Sequence, residues 1–178
     1  MRSEAIDRVR VVFDLFDVNG NGILESDDFD LMADRVVQAV PDAEEDAKAA
    51  MVAAFGTYWE TLLRELDENR DGRISFEEYT ACVLNPERFD DALDDFATSL
   101  AGLGDLAGDG YVTRPVFAAL MTAIGFPVPN IHALFDAFGP DEDDRITAAV
   151  WATGIRDYYS PDKAGIAGDK LVGEPAAS

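Results

Sequence analysis

Apolar side chains recur every three or four residues along most of the chain, and each such run stops at a cluster of Asp, Asn and Gly. Ile6, Val9, Phe13 and Phe16 form a helical stripe that runs into Asp17. Phe29, Met32, Val36 and Val37 resume the spacing until Pro41. A longer stripe, Met51, Phe55, Trp59, Leu62, Leu63 and Leu66, ends at Asp67. Phe76, Tyr79, Cys82 and Val83 carry the next helix, and Asn85-Pro86 stops it because proline cannot continue a helical ladder. The pattern predicts helix–loop–helix, twice.

The second half repeats the plan. Phe89, Leu93, Phe96, Leu100 and Leu103 lead into a third loop, 105–116, and Phe117, Leu120, Met121 and Ile124 lead out to Gly125 and Pro127. Ile131, Leu134, Phe135 and Phe138 enter a fourth loop, 139–150, and Trp151, Ile155 and Tyr158 close the last helix. Leu24, Ile74, Val112 and Ile146 are the equivalent points of this internal repeat. In paired loops these aliphatics stand back to back on a short two-stranded ribbon. The expected fold is all-α, four helix–loop–helix units in two packed pairs, with short β-bridges between paired loops. Three segments follow: an N-terminal pair over 1–86, a second pair over 87–160 and a tail over 161–178.

The first two loops carry the chemistry. Asp17, Asn19, Asn21, Ile23, Glu25 and Asp28 occupy positions 1, 3, 5, 7, 9 and 12 of one; Asp67, Asn69, Asp71, Arg73, Ser75 and Glu78 occupy those of the other. Each loop has glycine at position 6, Gly22 or Gly72, and an aliphatic residue at position 8. This is the ligand order of a twelve-residue calcium loop, in which position 7 contributes its carbonyl and position 12 a carboxylate. A chance acidic run rarely supplies the glycine, the aliphatic residue and the terminal acid together. The second loop is complete: Glu78 offers two oxygens, Ser75 orients a water or ligates weakly, and Glu77 points to solvent. The first ends in Asp28, one methylene shorter than Glu. A tighter, six-oxygen shell shifts preference toward Mg2+, so this site is expected to take Ca2+ less selectively.

The other two loops have lost these ligands. Ala107 and Val116 stand at positions 3 and 12 of the third, and Gly139 and Val150 at positions 1 and 12 of the fourth. Asp141, Glu142, Asp143 and Asp144 can attract a cation but not enclose it, so two metal sites are expected, not four.

Composition narrows the function further. A formal charge of −22 over 178 residues excludes a phosphate-binding footprint and adsorption to anionic membrane, and suits a cation binder. Cys82 and His132 are the only residues of their kinds, too few for a disulfide or a Cys/His zinc site. The N-terminal stretch lacks an apolar signal core and no run is long enough to span a bilayer, which predicts a cytoplasmic monomer. Hydrophobic residues at 48% and aromatics at 10% predict a dense core rather than a disordered acidic tail.

On these loops and stripes the chain resembles the EF-hand superfamily, and within it the sarcoplasmic calcium-binding protein group with its bacterial relative calerythrin. The likeness covers nearly the whole chain: four hands with some inactive, a long helix from Glu44 to Leu66, Asp closing the first loop, and a tail from Tyr158-Tyr159-Ser160-Pro161-Asp162 to Leu171-Val172-Gly173. The resemblance implies halves packed together and a calcium buffer or transport protein. Calerythrin-like chains keep a working fourth loop, and Gly139 and Val150 depart from that. A calcium sensor that regulates an unidentified protein partner is the alternative, disfavoured because four methionines spread over the chain make no Met-rich face. A small-molecule carrier built on the Phe-rich core ranks third. No nucleophile elbow, phosphate loop or carboxylate dyad stands apart from the loops, so no enzyme is expected.

Overall fold

The structure is a computed structural model of the chain, and it describes residues 3–18, 20–66, 72–160, 162–163 and 165–171. The helical stripes form α1 (Ser3–Phe16), α2 (Ser26–Gln38), α3 (Glu45–Leu66), α4 (Phe76–Val83), α5 (Pro86–Gly104), α6 (Arg114–Ile124), α7 (Val128–Ala137) and α8 (Ala148–Tyr158). Each loop lies between an odd-numbered helix and the next even one. The long helix starts at Glu45, one residue later than the spacing predicts. A short 3-10 helix, Ala167–Leu171, was not legible in the pattern.

The predicted ribbons form at the predicted points. Strand β1 (Tyr111–Thr113) pairs antiparallel with β2 (Arg145–Thr147), with Val112 opposite Ile146. In the first half the ribbon shrinks to one bridge, where Leu24 and Ile74 exchange both backbone bonds at 2.8 and 3.0 Å. All four aliphatics are buried, so the pairing is also a hydrophobic contact that holds paired loops in register.

Local chemistry sets the helix ends. Asn85 accepts from the amide of Glu87 at 3.1 Å and Pro86 begins α5, where its missing amide costs nothing. This abrupt restart after α4 leaves no free linker, and α5 packs directly on α3. Phe55 and Phe96 meet edge-on at 5.3 Å, Tyr58 and Phe89 at 4.7 Å, and Tyr58 and Phe96 at 5.4 Å. Such aromatic pairs add about 0.5–1.5 kcal/mol each beyond their burial. The two halves therefore share one core, within which Phe117 and Trp151 pack at 4.8 Å in the second half. Among the described residues no helix is long and apolar enough to cross a membrane.

Candidate metal centres

In the first loop the chain turns around the side chain at position 1. Asp17 accepts from the amides of Asn21 (3.2 Å) and Gly22 (2.7 Å), and the Asn21 side-chain oxygen accepts from Ile23 N–H at 3.1 Å. Gly20 and Gly22 take φ of +70° and +84°, a conformation that side chains resist. The Asn21 amide also donates to Glu25 at 2.8 Å, which draws positions 5 and 9 together. Asp28 is 1% exposed, and one of its oxygens accepts from the amide of Glu25 at 2.9 Å.

The second loop closes in the same way. Glu78 accepts from the Ser75 amide at 3.0 Å while the Ser75 hydroxyl accepts from the Glu78 amide at 3.2 Å, a reciprocal cap that starts α4. Glu78 is thereby turned back toward the loop, whereas Glu77 is exposed, as its position predicts. Gly72 has φ of +70°, and Arg73 precedes the buried Ile74 bridge. Asp17, Asn21, Ile23, Glu25 and Asp28 thus lie together on one loop, and Arg73, Ser75 and Glu78 on the other. Asn19, Asp67, Asn69 and Asp71 lie outside the described residues. The donors that are described are oxygens suited to a hard cation, and the left-handed glycine and the turned-back acid fit a calcium ion.

The third and fourth loops bring two arginines onto their own carboxylates. Asp105 keeps the shape of position 1, accepting from the amides of Asp109 (3.1 Å) and Gly110 (2.9 Å). Arg114 grips both oxygens of Asp144 at 2.8 and 3.0 Å, reaches Asp136 at 2.6 Å, and lies 4.4 Å over the Phe135 ring. Its remaining nitrogen is 3.2 Å from Nδ1 of His132, which sits half-buried on α7. Arg145 bonds Asp141 at 3.1 Å, approaches Asp143 at 3.4 Å and Asp109 at 3.9 Å, and covers Tyr111 at 4.0 Å. The hydrogen bonds from Arg114 hold the Asp144 carboxyl below the usual carboxylate range. Desolvation raises Asp141, yet the bonds from Arg145 outweigh it and its carboxyl too is lowered. Asp144 stands where the other loops have glycine, with φ of +60°, and its bidentate ion pair helps hold that strained turn. Arginines thus answer three of the four acids of this run, Asp141 and Asp143 through Arg145 and Asp144 through Arg114 of the third loop. Arg114 and Arg145 could have been suspected from sequence only because they fall inside the degenerate loops.

Residues 6–84 match the EF-hand domain pair family. Calerythrin from Saccharopolyspora erythraea is 27% identical over 165 residues, covering 87% of this chain and 92% of that protein. Among solved structures, a Streptomyces coelicolor calcium-binding protein is 25% identical with a TM-score of 0.70, over 86% of this chain and 98% of that one. The amphioxus sarcoplasmic calcium-binding protein is 19% identical with a TM-score of 0.65, over 98% of both chains, and shares the fold. Residues 6–84 are thus an EF-hand domain pair, and the chain as a whole is similar to calcium-binding proteins of that fold. Over most of its length it is similar to calerythrin, in the group that its loop pattern resembles.

Proposed function

We propose that this protein is a calcium buffer or transport protein holding two ions, one in the loop from Asp17 to Asp28 and one in the loop from Asp67 to Glu78. The observation that carries the reading is the seating of Asp28 and Glu78, each turned back by a bond from its own helix cap, set against valines at the same position of the other loops. When bound, the ion supplies a charge that offsets neighbouring carboxylates; the chain supplies the oxygens and the glycine turn. The division at 86 then separates a metal-binding pair from a pair whose carboxylates are met by arginine. The charge supports the absence of nucleic-acid and anionic-membrane partners, and we read the chain as a cytoplasmic monomer.

Calorimetric titration of metal-free protein with calcium, repeated in excess magnesium, tests it: two ions per chain are expected, and a stoichiometry of three or four would overturn it. In the same experiment Asp28→Glu is expected to raise the calcium-to-magnesium preference of the first loop, roughly tenfold if the added methylene lets the acid offer two oxygens. An unchanged ratio would show that side-chain length does not set the selectivity.

A sensor is the second reading, favoured by the Streptomyces coelicolor relative, whose structure is described as a basis for prokaryotic calcium-mediated regulation. Against it, Met32, Met51 and Met121 are buried, and the exposed large apolar residues among those described, Leu31, Val52, Leu106, Val128 and Val150, are scattered over four helices and the third loop. Calcium is expected to leave the fluorescence of a hydrophobic dye low; a strong rise in a monomeric protein would favour the sensor. The carrier reading is weak because the void inside the Phe-rich core, lined by Phe16, Phe96, Trp151 and Leu171, measures only about 60 Å3, and the larger hollow of about 350 Å3 is bordered by exposed Val150 and Thr153 at the surface. Ligand pockets usually span about 300–1,000 Å3.

A further inference from the structure

Arg8 is the largest charged side chain buried in the core, at 0% exposure. It lies two turns before Asp17 on α1, on the same face as Ala5, Val9 and Val12. Four of its N–H bonds go to the segment between Tyr158 and Asp169. Nε donates to the carbonyl of Tyr158 at 2.7 Å, one terminal nitrogen to the carbonyls of Ser160 (2.9 Å) and Lys163 (3.0 Å), and the other to Asp169 at 2.8 Å. The Tyr158 hydroxyl returns a bond to the Arg8 carbonyl at 2.6 Å. Asp169 in turn accepts from the amides of Gly165 (2.7 Å) and Ile166 (3.2 Å), which folds the tail around the guanidinium. Gly168 lets it lie flat: a Cβ there would stand 2.8 Å from the Tyr158 ring.

The next residue of the chain is gripped from the second hand. The hydroxyl of Tyr159 meets that of Tyr58 on α3 at 3.0 Å, and Tyr58 meets Tyr79 on α4 at 2.5 Å. All three are buried, and Tyr79 follows Glu78 directly. Phe13 of α1 packs on both Phe76 (5.4 Å) and Tyr79 (5.5 Å), so α1 and α4 bear on each other as well. Tyr158 therefore contacts the helix that ends at the first acid of loop one, and Tyr159 reaches, through Tyr58 of α3, the helix that carries the last acid of loop two.

We infer that the Tyr158–Tyr159 step is a junction through which the first two loops are coupled to each other and to the C-terminal tail, calcium tightening the tail and the tail raising calcium affinity. The inference rests on calcium binding at those loops. Helices transmit position along their length, so an ion in the first loop that fixes Asp17 also steadies Arg8, and an ion in the second loop that fixes Glu78 also steadies Tyr79. Linkage makes the effect reciprocal: whatever loosens the tail must weaken calcium. Leu171 is the tail's apolar anchor, buried beside the small void that Phe16 also lines, and Asn130 of α7 donates to the Lys170 carbonyl at 3.1 Å.

Two variants of the full chain test this without touching a loop. Asp169→Asn removes the tail-side charge facing Arg8, and Tyr159→Phe removes one hydroxyl from the tyrosine group. Each is expected to weaken calcium binding about fivefold or more in calorimetric titration, the lower range of measured couplings between sites. In calcium, Asp169→Asn is also expected to speed tryptic cleavage after Lys163 and Lys170, both exposed, while cleavage after Arg64 and Arg88 is unchanged. If Asp169→Asn does not fold, Tyr159→Phe and its affinity decide alone. A folded variant that binds calcium as the wild type does would overturn the inference. Wild-type protein that fails to bind calcium would instead overturn the proposed function, so the two failures are distinct.

Discussion

Replacing Glu78 with Gln is expected to weaken calcium at the second loop by roughly 100-fold, about 2.7 kcal/mol, and to leave one ion per chain in a calorimetric titration at micromolar calcium. Position 12 supplies two oxygens and a full charge to a cation that needs six to eight oxygens. The structure makes the substitution clean. Glu78 also caps α4 through the Ser75 amide, and Gln serves that capping role as well as Glu does. The helix start and the Leu24–Ile74 bridge are therefore retained while the ligand is lost. A change in affinity of less than about threefold, roughly 0.7 kcal/mol, would remove Glu78 from the ligand set.

Removing calcium is expected to lower the thermal midpoint by roughly 10–20 °C. An ion at a hundredfold excess over its dissociation constant adds about 2.7 kcal/mol to the folded state, and two sites add about 5 kcal/mol. For a chain of this size each kcal/mol moves the midpoint by about 2–4 °C. Chelation also leaves the first two loops with uncompensated acids in a protein of net charge −22. The second half is different, because Arg114 and Arg145 meet its loop carboxylates with or without metal. Calorimetric melting in calcium and in chelator measures the shift, and amide exchange is expected to show β1 and β2 still protected in the metal-free protein. A shift below about 3 °C would mean that the loops bind too weakly to support a buffering role at the calcium level used.

The helices and loops were legible because their determinants are local. Ile6, Val9, Phe13 and Phe16 lie on one face of any helix they form, and the spacing of Asp28 from Asp17, or of Glu78 from Asp67, is a property of twelve consecutive residues. The four aliphatics were legible by the same repeat, although the extent of each ribbon was not: three residue pairs in one half and a single bridge in the other. His132 is half-buried on α7, and its contact with Arg114 comes from another helix and had no local signal.

Local pattern is enough to specify four helix–loop–helix units, the full ligand order of Asp17–Asp28 and Asp67–Glu78, and the missing anchoring acids of the other loops. What answers the leftover charges depends on how the helices pack. Arg8 falls on an apolar stripe, where a charge is costly unless paired, yet its partners lie 150 residues or more away in the chain. Asp144 and Arg114 are 30 residues apart, and Tyr58 and Tyr159 are 101. Periodicity and ligand spacing are written along the chain, whereas the partner of a buried polar group is selected by which helices pack together, because only in the packed core does an unanswered donor or charge become costly.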